Sequence, residues 1–364
     1  MTREWMSALK SVPIDWLLES DNPPVRFFTM RDLLEYKSND SELIQAQETL
    51  GEYKVTQTIL GKQKPNGFWE SENEPYLPKY TSSYWQIMLL GMFGMTREKP
   101  QIEKAVNHLL AFQHEEGGFV EFMKKGAMKE YELIRKRNLA KKKVTPSLEE
   151  WAPAKIREME LSCLTGNVAL ALNRLGYSEH QAVDDALRWL VEIQNVDGGW
   201  LCPYWGAHKN DKHGCFMGTI TPLDAFSETP KKLLNANMRK AIERGIEFLL
   251  MHRLYRSDHH EFRVIREQWL MLTFPQFFYD IVRGLAVVTK LGHAKDFRID
   301  DALEVIMNKR FASGEWPLER TSQGRLHGTI EQKNKPSKWI TLEILRVIKR
   351  VVQHRGHLDL LIFD

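Results

Sequence analysis

Three cysteines, Cys163, Cys202 and Cys215, fall within about 50 residues of one another, and His213 stands two positions before the last of them. A thiolate is both a nucleophile and a soft metal ligand, so these four side chains offer a Cys3His donor set suited to zinc. Four protein ligands would make such a site closed and structural. Three ligands plus water would leave it open and Lewis-acidic. The spacing contains no tight Cys-x2-Cys knuckle, so inert packing and thiol catalysis stand beside metal binding as readings of the same residues. An odd number of cysteines in a chain of 364 residues argues against a disulfide framework.

The acids are less specific. Asp184-Asp185 and Asp300-Asp301 look aspartate-rich, and the latter with Glu304 formally fits a magnesium-diphosphate pattern, but both open helical segments, where carboxylates favour the positive helix end. A polar loop carries His208, Lys209 and Lys212, point charges able to meet an anion. His252, His259 and His260 sit in a charged stretch and are expected to be solvated. No phosphate-binding glycine loop, Gly-x-Ser-x-Gly elbow or His-Glu-x-x-His helix occurs.

The elements that position these residues are helices, arranged in a repeat. A helical pattern ending in glutamine or a basic residue leads into a Gly-aromatic turn at Gln63 to Gly67-Phe68-Trp69, at Gln113 to Gly117-Gly118-Phe119, and at Gln194 to Gly198-Gly199-Trp200. A weaker copy begins at Gly245 without the glycines, and the last ends at Gly314-Glu315-Trp316. A second helical pattern follows each turn, as in Trp85, Met88, Leu89, Met92 and Phe93, whose spacing marks one buried face. Such a two-helix unit, repeated five or six times, cannot bury its apolar faces alone and needs its neighbours. One interval is long and holds an insertion at about 124–154, with basic runs at Arg135-Lys136-Arg137 and Lys141-Lys142-Lys143 that suit a solvated arm or an anionic partner.

Lysine plus arginine (51) nearly balance aspartate plus glutamate (48), so net charge gives no reason to expect nucleic acid. The N-terminus lacks a signal-peptide core and no transmembrane segment is evident, which predicts a soluble, cytoplasmic protein.

The Gln-x-x-Asp-Gly-Gly-Trp segment at Gln194 to Trp200, with its echoes at Gln113 and Gln63, resembles the repeat of squalene and oxidosqualene cyclases and of protein prenyltransferase β subunits. The resemblance spans about Asn22 to Arg350. It implies an all-α (α/α)6 double-ring barrel, a toroid, formed by the whole chain as one domain. Inner helices would start near Val25, Tyr80, Ser162, Cys215, Phe277 and Lys338, with their N-terminal ends lining the mouth of an apolar cavity.

By the same resemblance Cys215 matches the zinc-bound cysteine of the transferases and His213 takes the place of their aspartate, while Tyr279 and Asp280 stand where a histidine is expected. Cys215, Tyr279 and Asp280 are thus the candidate catalytic residues, and Cys163, Cys202, His213 and Cys215 the candidate zinc ligands. Asp280 reads equally as a helix-start carboxylate. Arg26, Lys79, Tyr80, Trp85, Trp205, Lys209, Lys212 and Phe277 are candidates for binding an isoprenoid diphosphate. The Asp-x-Asp-Asp acid of class II cyclases is absent. The leading expectation is a zinc-binding, transferase-like or cyclase-like enzyme acting on a hydrophobic substrate. A non-catalytic binding module with a structural metal and a polysaccharide-active toroid enzyme are the alternatives.

Overall fold

A computed structural model describes residues 4–322 and 324–356. The chain divides into two compact units, one formed by Met1–Gly61, Ile246–Gln323 and His327–Asp364, the other by Lys62–Gly245 with Gly324–Leu326. Each is an array of helix pairs, and the fold class is all-α, as the repeat implies.

In the Lys62–Gly245 unit the helices Ser83–Met92, Ser162–Arg174 and Phe216–Glu228 form the inner layer, packed side by side and buried on nearly every face. Their sequences dictate this, being apolar or small around the whole circumference. Gly166 allows the close approach, since a Cβ there would lie 2.5 Å from the Thr221 carbonyl carbon. The outer helices Pro100–Leu110 and Gln181–Glu192 are amphipathic instead. The first buries Ile102, Ala105, Val106 and Leu109, one stripe at helical spacing, and turns the rest to solvent. In the other unit, Pro23–Phe28, Ile281–Val288 and Lys338–Arg355 are the inner helices, with Ser41–Glu48 and Asp300–Met307 outside them. The six observed inner starts lie within about four residues of the expected ones.

One set of hydrogen bonds recurs at the turns. Gln63 donates its amide hydrogens to the carbonyls of Gly67 (3.1 Å) and Gln101 (2.9 Å), and Gln113 to those of Gly117 and Ala182 (both 2.8 Å). Gln194 does the same to Gly198 and Ala241, also at 2.8 Å. The first carbonyl of each pair belongs to the turn and the second to the next outer helix. In the last copy Arg310 replaces glutamine and donates to Gly314 and Ser11.

The glycine two residues ahead of each turn aromatic has positive φ, between 90° and 109°, a region that excludes most other residues. A Cβ on Gly67, Gly117 or Gly198 would also lie 2.3 to 2.4 Å from a carbonyl oxygen of that same outer helix. The aromatics Trp69, Phe119, Trp200 and Trp316 are fully buried. Their backbone N–H groups donate to Ser83, Thr165, Thr219 and Thr341 hydroxyls in the first turn of the following inner helix, at 2.8 to 3.0 Å.

The insertion is a helical hairpin, Lys124–Ala140 and Leu148–Glu158, slightly longer than the sequence suggested. It has its own small core of Phe122, Ala127, Ala152 and Met159. Its second helix opens with a capping box between Ser147 and Glu150. The aspartate pairs are structural, as expected: Asp184 pairs with Arg188, Asp300 with Arg355, and Asp301 with Arg256. His252 departs from expectation. It is buried, with Nδ1 2.7 Å from the Phe248 carbonyl oxygen and Nε2 3.2 Å from Asp258. Among the described residues no helix is long and apolar enough to cross a membrane.

Gln194→Ala would strip the carbonyls of Gly198 and Ala241 of their shared donor and is expected to cost about 2 kcal/mol of unfolding free energy. Gly198→Ala should cost more, because it combines a left-handed φ with a 2.4 Å approach to the Arg244 carbonyl oxygen. Urea denaturation ranks the two, and a Gly198→Ala protein as stable as the parent would contradict this account of the turn.

Candidate active site

The inner-helix starts of the Lys62–Gly245 unit gather most of the reactive side chains. Trp85, in the first turn of its helix, donates its indole N–H to the Tyr76 carbonyl at 2.7 Å. Its ring meets Tyr76 at 5.3 Å and Tyr80 edge-on at 4.8 Å. Lys79 holds its ammonium 4.8 Å from the Tyr76 ring centre and 5.7 Å from that of Trp85, so these ring faces are turned toward positive charge. Glu121 belongs to the same group. Burial pushes its carboxyl up to about 7 against the opposing pull of Lys79, while Glu130 and Cys202 push the same way as burial. The Tyr76 phenol is also driven upward, by burial first and then by Glu121.

The thiols stand beside this group. Cys163 Sγ and Cys202 Sγ are 4.0 Å apart, and Ser162 Oγ is 3.6 Å from Cys202 Sγ. No disulfide joins the cysteines. The hydrogen bond from Cys163 lowers the Cys202 thiol well below its ordinary range, with His208 and Ser162 adding to the effect against burial. The Cys163 thiol is raised by the same contact and by burial. Cys202 is the more readily ionised of the pair, and His208 is raised by bonding to it. Trp205 lies half-exposed with its ring edge on His208 at 4.7 Å, and Lys209 and Lys212 are exposed on the same loop.

Cys215 caps the start of Phe216–Glu228, and its backbone N–H donates to the Trp200 carbonyl at 2.8 Å. The expected zinc set does not assemble around it. His213 is exposed, with Nδ1 3.6 Å from Asp197. The cause is local: Asp197 accepts the backbone N–H groups of Gly199 and Gly214 and holds that strand of chain against the turn. Among the described residues, no three donors drawn from Cys163, Cys202, His213 and Cys215 come within 4.8 Å of one another, so this set does not fit a zinc ion. The imidazole that reaches the thiols is His208.

The remaining candidates belong to the other unit. Asp280 is buried at the start of Ile281–Val288, where its two oxygens accept the backbone N–H groups of Thr273 and Arg283, each at 2.8 Å. Burial raises it to about 7. Tyr279 donates its hydroxyl to the Leu254 carbonyl and sets its ring edge-on to Trp269 at 5.2 Å. Helix capping and packing thus account for these two side chains in place of ligation or catalysis. Phe277 is fully buried, and Arg26 lies half-buried on Pro23–Phe28.

Sequence reasoning missed Tyr76 and Glu121, and placed His208 only as a loop charge. A register clue existed for Glu121. It stands two residues past the turn aromatic Phe119, as Cys202 stands two past Trp200, and that position leads from the buried turn to the inner-helix starts.

No protein-family profile matches the chain, and no curated protein does. Solved structures resemble it at low identity. A protein from Actinoplanes is 15% identical, over 96% of this chain and 100% of that one, with a TM-score of 0.46. Type II terpene cyclase MstE from Scytonema, as an aspartate-to-alanine variant holding the product merosterolic acid A, is 16% identical over 92% of this chain and 87% of that one, with a TM-score of 0.43. The apo form of the same cyclase is 14% identical over 93% and 89%, also at 0.43.

Because the Glu121 pKa is raised on folding, the folded state favours its protonated form. Its contribution is most favourable below the unfolded value near 4.5 and is lost as pH rises through about 7. Glu121→Gln should therefore stabilise the protein at pH 8 by up to about 3 kcal/mol relative to the parent, with the gap closing by pH 4. Urea denaturation at the two pH values checks the sign.

Proposed function

We propose that the chain is an enzyme acting on an isoprenoid or similar long apolar molecule at the inner-helix starts of the Lys62–Gly245 unit. The observation that carries this reading is the placement of Glu121, a half-buried carboxyl pushed up to about 7, in the same group as Tyr76, Tyr80, Trp85 and Lys79.

In this reading the apolar chain of the substrate packs on the rings, and Lys79 supplies a positive charge to an anionic head group such as a diphosphate. Drawing the ammonium toward that head group bares the ring faces, which then stabilise positive charge developing on the substrate. Glu121 moves the proton. A carboxyl with a pKa near 7 is matched to exchange with a heteroatom, or to removal of a proton from a cationic intermediate. It is too weak an acid to protonate an isolated alkene, so the chemistry favoured is leaving-group protonation or terminal deprotonation. Cys202, whose thiol is lowered beside His208, supplies a nucleophile adjoining the same site. Zinc on the three cysteines lies outside the proposal, since His213 is engaged at Asp197. The exposed Lys141-Lys142-Lys143 turn of the hairpin is the surface this reading would give to an anionic partner.

Isothermal titration with geranylgeranyl diphosphate tests the site. Lys79→Gln is expected to weaken binding about tenfold while leaving the uncharged alcohol unaffected. Glu121→Gln should bind the diphosphate within about threefold of the parent yet lose at least about 100-fold in turnover. No binding by the parent, or equal loss of both ligands in Lys79→Gln, would refute the proposal.

A further inference from the structure

The second repeat differs from its neighbours at the turn itself. Where the first turn carries Lys64, Pro65 and Asn66 and the third carries Asn195, Val196 and Asp197, the second carries His114, Glu115 and Glu116. Its backbone is the same. His114 N–H donates to the Gly118 carbonyl at 2.8 Å, as Lys64 does to Phe68 and Asn195 to Gly199. The side chains therefore change on a fixed frame, and a third residue, Glu160, reaches the turn from just ahead of the Ser162–Arg174 helix.

Glu160 is fully buried. Its Oε1 accepts the Gly118 N–H at 3.1 Å and lies 3.6 Å from His114 Nδ1. Its Oε2 is buried with no hydrogen bond, and so is His114 Nδ1. Two neighbouring buried polar atoms without hydrogen-bond partners are costly in a folded protein, and a cation bound by the carboxylate oxygen and the Nδ1 lone pair satisfies both. Glu116 completes the group, since one donor atom from each of His114, Glu116 and Glu160 lies within 4.8 Å of the others. Glu116 is also bound by Arg157 at 2.7 Å and by the Tyr204 hydroxyl at 3.1 Å.

We propose that His114, Glu116 and Glu160 form a binding site for a divalent first-row cation, zinc or manganese. One imidazole and two carboxylates suit these ions, and three protein ligands leave positions for water or an anionic ligand. Arg157 competes with the cation for Glu116, so the site exchanges one positive charge for another at the rim while the buried pair is filled.

Manganese(II) is the discriminating probe, because it avoids the thiols of Cys163, Cys202 and Cys215. Titration of the full chain with Mn(II), followed by electron paramagnetic resonance of the free ion, is expected to give one site per chain. Glu160→Gln and His114→Gln should each weaken it at least about tenfold, and Arg157→Gln should tighten it about threefold or more. Glu116→Gln, a change at the exposed rim, serves if Glu160→Gln fails to fold and should likewise weaken binding. Zn(II) titration of a Cys163→Ser/Cys202→Ser/Cys215→Ser protein should retain one equivalent. The assignment falls if the parent binds no Mn(II) at millimolar concentration, or if His114→Gln and Glu116→Gln bind it as tightly as the parent.

Discussion

A glutamine amide that donates both of its hydrogens, one to its own glycine turn and one to the next outer helix, sets the spacing between successive repeats. Each bond is worth about 1 kcal/mol net, but breaking one leaves a carbonyl at a helix–turn junction without a donor. The glycine makes the bond possible by letting the turn rest directly on the backbone of that outer helix, where any Cβ would collide. The aromatic that follows is thereby driven into the core, and its backbone N–H finds a hydroxyl on the next inner helix. Turn, outer helix and inner helix are fixed relative to one another by one short segment.

That frame places chemistry by position. The residue two past the turn aromatic emerges at the inner-helix starts, which is how Glu121 and Cys202 come to share a neighbourhood although they are far apart in sequence. The turn itself faces the other direction of variation. Asp197 spends its carboxylate on backbone N–H groups of its own segment, whereas Glu116 at the equivalent position reaches Arg157 and Tyr204. A repeat with constant hydrogen bonding can thus carry different side-chain sets in different copies.

Burial of carboxyl groups is the recurrent electrostatic cost. Glu121, Glu160, Asp280 and Glu331 are each raised to about 7, in every case chiefly by desolvation. Their compensation differs. Asp280 is met by two backbone N–H groups and completes a helix start, and Glu331 accepts from Ser337 and Trp339. Glu121 and Glu160 are less fully answered by the protein, and these are the two that the functional readings engage.

The periodic spacing of apolar residues, the glutamines, the positive-φ glycines and the buried aromatics were readable in the chain because each acts within a few residues of itself. From them the helical class and the basic insertion followed directly, and the inner-helix starts followed from the family resemblance that they carry. The convergence of Cys163 with Cys202 was also legible, since an inner-helix start and the segment after the next turn aromatic were both expected at the same end of adjacent repeats. What only the tertiary structure decided was which side chain turns toward which. His213 was near Cys215 in sequence yet was captured by Asp197, and His208 took its place beside the thiols. Asp280 was available as a ligand by type but was consumed by helix capping. Glu121, His114 and Glu160 gained their character from burial, a property that depends on the packing of residues remote along the chain and has no local signature.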